Sequence, residues 1–148
     1  MNDSVAVFIR NESPHPLPAY QSEHAAGMDL HAFLKEEKII FPNGRTLIPT
    51  GLYMALPEGF QAEIRPRSGL AYYSGITVLN SPGTIDADYR GEINVLLINL
   101  SDQHYTIKDG DRVAQLIITS YRQVIWHPTK TLPNSLRGKK GFGSSGNN

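Results

Sequence analysis

One ten-residue stretch near the middle of the chain concentrates side chains that could perform acid–base chemistry. The stretch, Gly83-Thr-Ile-Asp-Ala-Asp-Tyr-Arg-Gly-Glu92, contains three carboxylates, a tyrosine and an arginine. Carboxylates this close repel one another, and their ionised forms cost free energy when they are buried. A plain structural loop has little reason to gather them, so Asp86 is a candidate general base. Structural roles stay open here, because Asp88 could pair with an arginine and Glu92 could face water.

The segment Pro66-Arg-Ser-Gly-Leu-Ala71 contains groups that could bind phosphate. Arg67 offers a planar fork that matches phosphate oxygens, and Ser68 and the Gly69 amide are short donors. Proline and glycine interrupt the strand that precedes them, which leaves these donors at a turn. On these residues alone, the alternative is a surface turn with a solvated arginine.

A carboxylate also lies among apolar residues in Ala25-Ala-Gly-Met-Asp-Leu-His-Ala32, on an apparent strand. Asp29 there needs a partner, either an arginine or a hydrated cation. The five histidines of the sequence show no metal-ligand spacing, and the sequence has no Walker-type glycine loop and no nucleophile elbow. Any phosphate must therefore be bound by a different architecture.

Short strands must position these segments, because thirteen glycines and ten prolines leave little room for long helices. In Phe60–Ile64 and Ile93–Leu97 every second residue is apolar, which is typical of a strand with one buried face. Lys108–Asp111 is a predicted turn, and Gly69–Tyr73 is the one helical candidate. The predicted strands are Val5–Ile9, Lys38–Phe41, Gly51–Leu56, Phe60–Ile64, Ile76–Asn80, Glu92–Asn99, His104–Ile107, Arg112–Ile118 and Arg122–Trp126. This spacing predicts an all-β sandwich or barrel.

The composition changes near Thr131. Residues 132–148 are polar and glycine-rich, with Arg137, Lys139 and Lys140 close together and a single aromatic residue, Phe142. No apolar face repeats there, so this segment cannot fold by itself. It is either a disordered tail or an arm that becomes ordered over a ligand.

The bulk composition narrows the class of protein. A chain of 148 residues has the size of one domain, and fourteen basic residues balance fourteen acidic ones. This balance gives no indication of a nucleic acid or membrane partner. The sequence has no cysteine, which excludes disulfides and thiolate chemistry and fits a reducing compartment. The apolar run at the N-terminus is too short for a signal peptide, so the expected location is the cytoplasm.

Five stretches of the chain together resemble the trimeric dUTP diphosphatase (dUTPase) family, in the family's order. They are Ala25–Ala32, Pro66–Ala71, Asn80–Glu92, Gly110–Leu116 and Arg137–Gly146. The resemblance implies a jelly-roll-like β-sandwich or barrel over residues 1–131 and a flexible glycine-rich C-terminal arm over residues 132–148. It also implies a homotrimer with active sites at the subunit interfaces. The implied activity is hydrolysis of dUTP to dUMP and pyrophosphate, which limits uracil in DNA and supplies dUMP for thymidylate synthesis.

The resemblance also implies roles for individual residues. Asp86 corresponds to the base that deprotonates the water attacking the α-phosphorus, and Asp29 to the carboxylate that holds Mg²⁺ through water. Asp88 is then expected to be structural and held by an arginine. The groups expected to bind the phosphates are Arg67, Ser68, Gly69, Gln115, Arg137, Gly143 and Ser144.

Recognition of the nucleoside is implied by the same comparison. Tyr89 corresponds to a ring that packs under the deoxyribose and leaves no space for a 2′-hydroxyl. Phe142 is expected to stack on the uracil once the arm closes. The residues expected to line the uracil site are Asn80, Gly83, Thr84, Ile85 and Asn94.

The arm departs from the family pattern, and two rival functions share the fold. Lys140 stands where the family usually has glycine, and Ser145 where threonine is common. The added charge of Lys140 predicts that closure of the arm depends more on salt concentration here than in relatives with glycine. The substitution Lys140→Gly should reduce this salt dependence. The rivals are a dCTP deaminase-type relative and a catalytically silent nucleotide-binding module. The complete arm with Phe142 and the spacing from Asp86 to Tyr89 favour the diphosphatase over the deaminase. The evidence against the silent module is the retention of Asp86, Arg67, Ser68, Gln115 and Arg137.

Overall fold

The computed structural model describes residues 4–139 and residue 141. These residues form short β-strands and one short helix, which confirms the all-β class. In chain order the elements are β1 Phe8–Asn11, β2 Met28–His31, β3 Lys38–Ile40, β4 Arg45–Pro49, β5 Leu52–Ala55, β6 Phe60–Arg65, α1 Ser68–Ser74, β7 Ile76–Val78, β8 Gly83–Ile85, β9 Asn94–Asn99, β10 Tyr105–Ile107 and β11 Arg112–Ser120.

The strands pair in four sheets within the described part of the chain. A four-stranded sheet has the order β2-β11-β6-β8, and a three-stranded sheet has the order β4-β9-β7. Two strand pairs, β1-β5 and β10-β3, complete the set. The pairings between these strands are antiparallel. Since antiparallel sheets commonly bury one face, strands such as β5, β6 and β9 contribute alternate side chains to a common core.

The register of the four-stranded sheet determines which polar side chains become neighbours. Ala62, Ile64 and Leu116 point into the core and are buried. Gln115, which precedes Leu116 on β11, lies on the other face of the sheet. It is opposite Asp29 of β2 on one side and opposite Arg65 of β6 on the other. The same sheet therefore brings two of the five recognised stretches together on one side of the molecule.

The helix α1 follows β6 almost immediately and has a sharp end. Arg67 is its N-cap, with extended backbone angles, and Gly75 is its C-cap, with a φ of 65°. The left-handed conformation of Gly75 suits glycine, and a Cβ there would also lie 2.9 Å from the Ser101 backbone nitrogen. The predicted helical candidate and the predicted turn at Lys108–Asp111 are both confirmed. No helix in the described residues is long and apolar enough to span a membrane.

Two strands were missed by the sequence patterns, and one predicted strand is wrong. Strand β4 contributes only Ile48 as a buried side chain and ends on Pro49, so its pattern is weak. Strand β8 is only three residues long and lies inside the carboxylate-rich stretch. The predicted strand Arg122–Trp126 is irregular in the described chain, and Val124, Ile125 and Trp126 are 65–84% exposed. An alternating apolar pattern indicates side chains that favour burial, but it does not show that the segment pairs with another strand of the chain.

Candidate active site

Asp29 is the centre of a cluster with two arginines. Its Oδ1 lies 2.9 Å from Arg67 Nε, and its Oδ2 lies 3.2 Å from Arg112 Nη1. Arg67 Nη1 also donates to the backbone carbonyl of Arg112 at 3.1 Å. The sequence left open whether an arginine or a cation compensates Asp29. In the folded chain, both carboxylate oxygens pair with guanidinium groups.

Gln115 connects this cluster to the predicted phosphate-binding segment. Its Nε2 donates to the Pro66 carbonyl at 2.9 Å, across from the residues that lead into α1. A Cβ on Gly27 would overlap the Gln115 amide oxygen, so the glycine in this stretch leaves the space that Gln115 occupies. Ser68 and Gly69 begin α1 and are exposed, with open space around Gly69. We refer to Asp29, Arg67, Arg112 and Gln115 as the arginine cluster.

Two pKa shifts lie next to this cluster. Burial lowers the pKa of His31, and the neighbouring His15 lowers it further, while Asp29 opposes the shift. The lowered pKa favours the neutral form of His31. The backbone N–H of Leu34 and the His15 side chain hold the pKa of Asp109 below its ordinary value. The Asp109 carboxylate lies 2.9 Å from His15 Nε2 and fastens the loop around His15 to the turn before β11.

Asp86 lies on a second, separate part of the surface. It directly follows β8 and is exposed, and its backbone carbonyl accepts a hydrogen bond from the Tyr89 N–H at 3.1 Å. Arg90 Nη1 donates to the carbonyls of Ala87 and Tyr89 and so closes the turn. The expected arginine partner of Asp88 is not found among the ion pairs of the described residues, and Arg90 Nη1 instead contacts these carbonyls.

The side chains expected to recognise the nucleoside flank Asp86. The Asn80 amide nitrogen lies against Gly83, 3.1 Å from where a Cβ would stand, so these two residues are neighbours. Tyr89 is 46% exposed, and its hydroxyl donates to the Glu92 carbonyl at 3.0 Å. Asn94 Nδ2 donates to the same carbonyl at 3.1 Å. Thr84 is exposed on β8, whereas Ile85 is buried in the core.

A single chain keeps Asp86 well apart from the arginine cluster. Strand β8 pairs with β6 so that Ile85 is opposite Ala62, which places Asp86 near Gln61 at the start of β6. Arg67 follows the other end of β6, and its guanidinium reaches β2, three strands away from β8. With about 3.3 Å per residue and about 4.8 Å per strand, the separation is on the order of 20 Å. No phosphorus atom can be adjacent to both groups within one chain.

The arm residues are only partly described. Residues 132–139 and residue 141 form no helix or strand and are exposed, Arg137 among them. Phe142, Gly143, Ser144 and Lys140 lie outside the described residues.

Two residues of the candidate site, Arg112 and Glu92, were given no function from the sequence alone. Arg112 belongs to the recognised stretch Gly110–Leu116 but received no role, because only the β2–β11 register brings it to Asp29. Glu92 was left as a residue that could face water, yet its Oε1 accepts a hydrogen bond from the Gly51 N–H at 2.8 Å. Contacts across 41 residues of chain cannot be deduced from local patterns.

Comparison with known proteins gives a consistent result. The dUTPase family model matches residues 13–146. The deoxyuridine 5'-triphosphate nucleotidohydrolase of Cytophaga hutchinsonii is 54% identical over 98% of this chain and 94% of its own length. The Rickettsia prowazekii protein of the same name is 57% identical over 88% of each chain. A dUTPase of Staphylococcus bacteriophage 80alpha, solved with dUpNHpp, superposes with a TM-score of 0.85 at 24% identity over 95% of this chain and 98% of its own. This likeness confirms the jelly-roll-like β fold.

Proposed function

Because the chain belongs to the dUTPase family and is a dUTP-hydrolysing enzyme, we propose that Asp86 is its general base. We also propose that Asp86 and Arg67 of one active site come from different subunits. The enzyme converts dUTP to dUMP. The observation that supports a shared site is the separation of Asp86 from the arginine cluster within one chain. The relatives are named as deoxyuridine 5'-triphosphate nucleotidohydrolases, which disfavours a dCTP deaminase function.

Asp86 is well placed to act on a water molecule. It is exposed, and no side-chain hydrogen bond or ion pair engages its carboxylate among the described residues. Its oxygens are therefore available to accept a proton from the attacking water. The water oxygen forms a bond to the α-phosphorus, the bond to the bridging oxygen breaks, and pyrophosphate leaves. A positioned base of this kind contributes about 10²–10⁴ to the rate.

The arginine cluster is suited to hold the triphosphate. An arginine has five N–H donors, and Arg67 uses Nε for Asp29 and one Nη1 hydrogen for the Arg112 carbonyl, so donors remain for phosphate oxygens. Asp29 holds the guanidinium in one orientation, which reduces the entropy lost on binding. Ser68, the Gly69 amide and Gln115 add neutral donors, and Arg137, Gly143 and Ser144 of the arm are proposed to complete the site.

Asp29 also fits a role in holding Mg²⁺ through water. Each of its oxygens pairs with one arginine, and a carboxylate oxygen has a second lone pair that can accept a hydrogen from a metal-bound water. Mg²⁺ keeps several of its waters in protein sites, so an indirect carboxylate suffices. When bound, the ion neutralises charge on the triphosphate. No group of three His, Cys, Asp or Glu side chains in the described residues offers a direct metal site.

Nucleoside recognition is proposed for the surface around Asp86. The Tyr89 ring would lie under the deoxyribose, and Asn80, Gly83, Thr84, Ile85 and Asn94 would form the uracil site. Burying an unpaired 2′-hydroxyl costs about 1–3 kcal/mol, so a ring that allows it no partner selects dUTP over UTP. Phe142 would cover the base from the arm.

A homotrimer is the assembly that we propose. A cyclic, head-to-tail interface joins one surface of each subunit to a different surface of the next, and so can bring Asp86 of one chain to Arg67 of another. Exposed apolar side chains at Val124, Ile125 and Trp126 support burial against a neighbouring subunit. Residues 1–131 would form the β domain and residues 132–148 the arm. The cysteine-free composition supports a cytoplasmic location.

Subunit mixing tests the shared site. Asp86→Asn and Arg67→Gln chains are each expected to be nearly inactive, because each lacks one essential group in all sites. Co-expressed in equal amounts, they should recover about a quarter of wild-type pyrophosphate release, since random assortment in a ring gives one site in four both native residues.

The matched control replaces the Arg67→Gln chain with a chain that carries both substitutions, so that no subunit in the mixture provides a native Asp86. That mixture should stay inactive. If the Asp86→Asn and Arg67→Gln mixture is no more active than its parents although mixed trimers form, the two residues act within one chain.

A further inference from the structure

We propose that Glu92 is a positioning residue for nucleoside selection, which fixes Tyr89 and Asn94 by anchoring the end of the Asp86 loop to the turn at Gly51. This inference rests on the proposed function, because it takes Tyr89 and Asn94 to be recognition groups. Glu92 itself is not expected to contact the substrate.

The backbone carbonyl of Glu92 is a shared acceptor. The Tyr89 hydroxyl donates to it at 3.0 Å and Asn94 Nδ2 at 3.1 Å. These are the hydrogen bonds that the two side chains make among the described residues. The position of one carbonyl therefore sets the orientation of both the proposed sugar platform and the proposed base reader.

The carboxylate of the same residue is tied to a rigid part of the core. Glu92 Oε1 accepts a hydrogen bond from the buried Gly51 N–H at 2.8 Å. Gly51 has a φ of 69°, and a Cβ there would lie 2.9 Å from Ser13 and 3.0 Å from Phe33. Backbone with this conformation and this packing has little freedom to move, so the donor to Glu92 has a fixed position.

The next residue is held by the same turn. Thr50, which is 2% exposed, donates its hydroxyl to the Ile93 carbonyl at 2.6 Å. The Ile93 N–H donates to the Leu52 carbonyl at 2.8 Å. These two bonds hold Ile93 and, because the peptide unit between Glu92 and Ile93 is planar, they orient the Glu92 carbonyl from the strand side. The Glu92 side chain supplies the remaining constraint on the loop side.

The Tyr89 ring packs against Gly91, so its position depends on the hydrogen bond between Glu92 and Gly51. A Cβ on Gly91 would overlap the Tyr89 hydroxyl and Cζ and lie 2.9 Å from Cε2, so the ring rests directly on Gly91. Gly91 immediately precedes Glu92 in the chain. A shift of Glu92 therefore moves the surface under the ring as well as the acceptor of its hydroxyl.

Loss of the carboxylate has two consequences. The buried Gly51 N–H would lose its acceptor, and the loop end would relax toward alternatives that satisfy it. A misplacement of about 1 Å in a positioning element can cost up to about 10² in rate. Because the ring that excludes the 2′-hydroxyl moves, the ratio of kcat/KM for dUTP to that for UTP should fall.

The test measures this ratio for three Glu92 variants and one control. Glu92→Ala should lower the dUTP/UTP ratio about tenfold or more, whereas Glu92→Gln, which retains an acceptor oxygen, should stay within about twofold of wild type. Glu92→Asp, too short to reach the amide, should resemble Glu92→Ala and serves if the alanine variant does not fold. Glu58→Ala removes an exposed carboxylate on a loop elsewhere and should leave the ratio unchanged.

A double-variant comparison separates a shared contact from general destabilisation. Tyr89→Phe removes the hydroxyl bond to the Glu92 carbonyl. If the two residues act through that carbonyl, Glu92→Ala combined with Tyr89→Phe should lower the ratio no further than about twofold below the lower single variant.

Two results would overturn the inference while leaving the proposed function intact. One is a dUTP/UTP ratio in folded Glu92→Ala and Glu92→Asp within twofold of wild type, and the other is a loss in Glu92→Gln as large as in Glu92→Ala. By contrast, a wild-type enzyme that hydrolyses dUTP without preferring it to UTP would refute the proposed role of Tyr89 instead.

Discussion

Replacing Asp86 with asparagine is expected to lower kcat for dUTP by about 10²–10⁴, because an amide cannot accept the proton of the attacking water. Asparagine has the same shape as aspartate, and Asp86 is exposed and makes no side-chain hydrogen bond or ion pair within the described residues. Assembly and the binding of a non-hydrolysable dUTP analogue should therefore remain close to those of the wild type. Steady-state pyrophosphate release and analogue titration measure the two effects separately.

Asp88 provides a matched control for this substitution. It lies two residues away, is also exposed and has no ion pair among the described residues. Asp88→Asn removes the same charge from the same loop and should keep kcat within about threefold of wild type, as surface changes away from a reacting group usually do. If kcat falls equally in the two variants, Asp86 contributes only its negative charge to the loop. If Asp86→Asn keeps a kcat close to that of the wild type, Asp86 is not the general base.

Deleting residues 132–148 is the second change with a large expected effect. The deletion removes Arg137, Phe142, Gly143 and Ser144, which are proposed to close over the substrate, so most of the activity should be lost. The β core should stay folded, because residues 132–139 and residue 141 are exposed and belong to no strand. Thermal unfolding and sedimentation should match those of the full chain, while kcat/KM for dUTP falls.

A shorter deletion controls for the loss of the chain end itself. Removing only Asn147 and Asn148 leaves the recognised stretch Arg137–Gly146 complete and should preserve activity. A truncated chain that lacks residues 132–148 and still turns over dUTP at the wild-type rate would show that the arm is not a lid. A truncated chain that unfolds would instead show that the arm stabilises the core.

Much of the fold could be predicted from local patterns because burial alternates along the strands. Ala62 and Ile64 on β6, and Val95 and Leu97 on β9, are buried as the period of two required. Strand β4 could not be found in this way, since Ile48 is its only buried side chain and its pairing with β9 is a long-range contact. The segment Arg122–Trp126 has the pattern of a strand but lacks a partner strand in the described chain.

The candidate site could be predicted as a set of residues but not as a set of contacts. Asp29, Arg67 and Gln115 were each identified from their own stretches of sequence. Their meeting point depends on the register of β2, β11 and β6, which also brings in Arg112. Likewise, the separation of Asp86 from Arg67 follows from which end of β6 pairs with β8. Long-range register is set by the whole hydrophobic pattern and the turns together, so no single motif contains it.

The most direct test of the account is hydrolysis of dUTP by the full-length enzyme in ¹⁸O-labelled water, with mass analysis of both products. Attack of water on the α-phosphorus predicts that the label enters dUMP and that the pyrophosphate carries none. The same assay with dCTP should give no ammonia. Label in the pyrophosphate would contradict attack at the α-phosphorus, and release of ammonia from dCTP would show that the chain performs a different reaction.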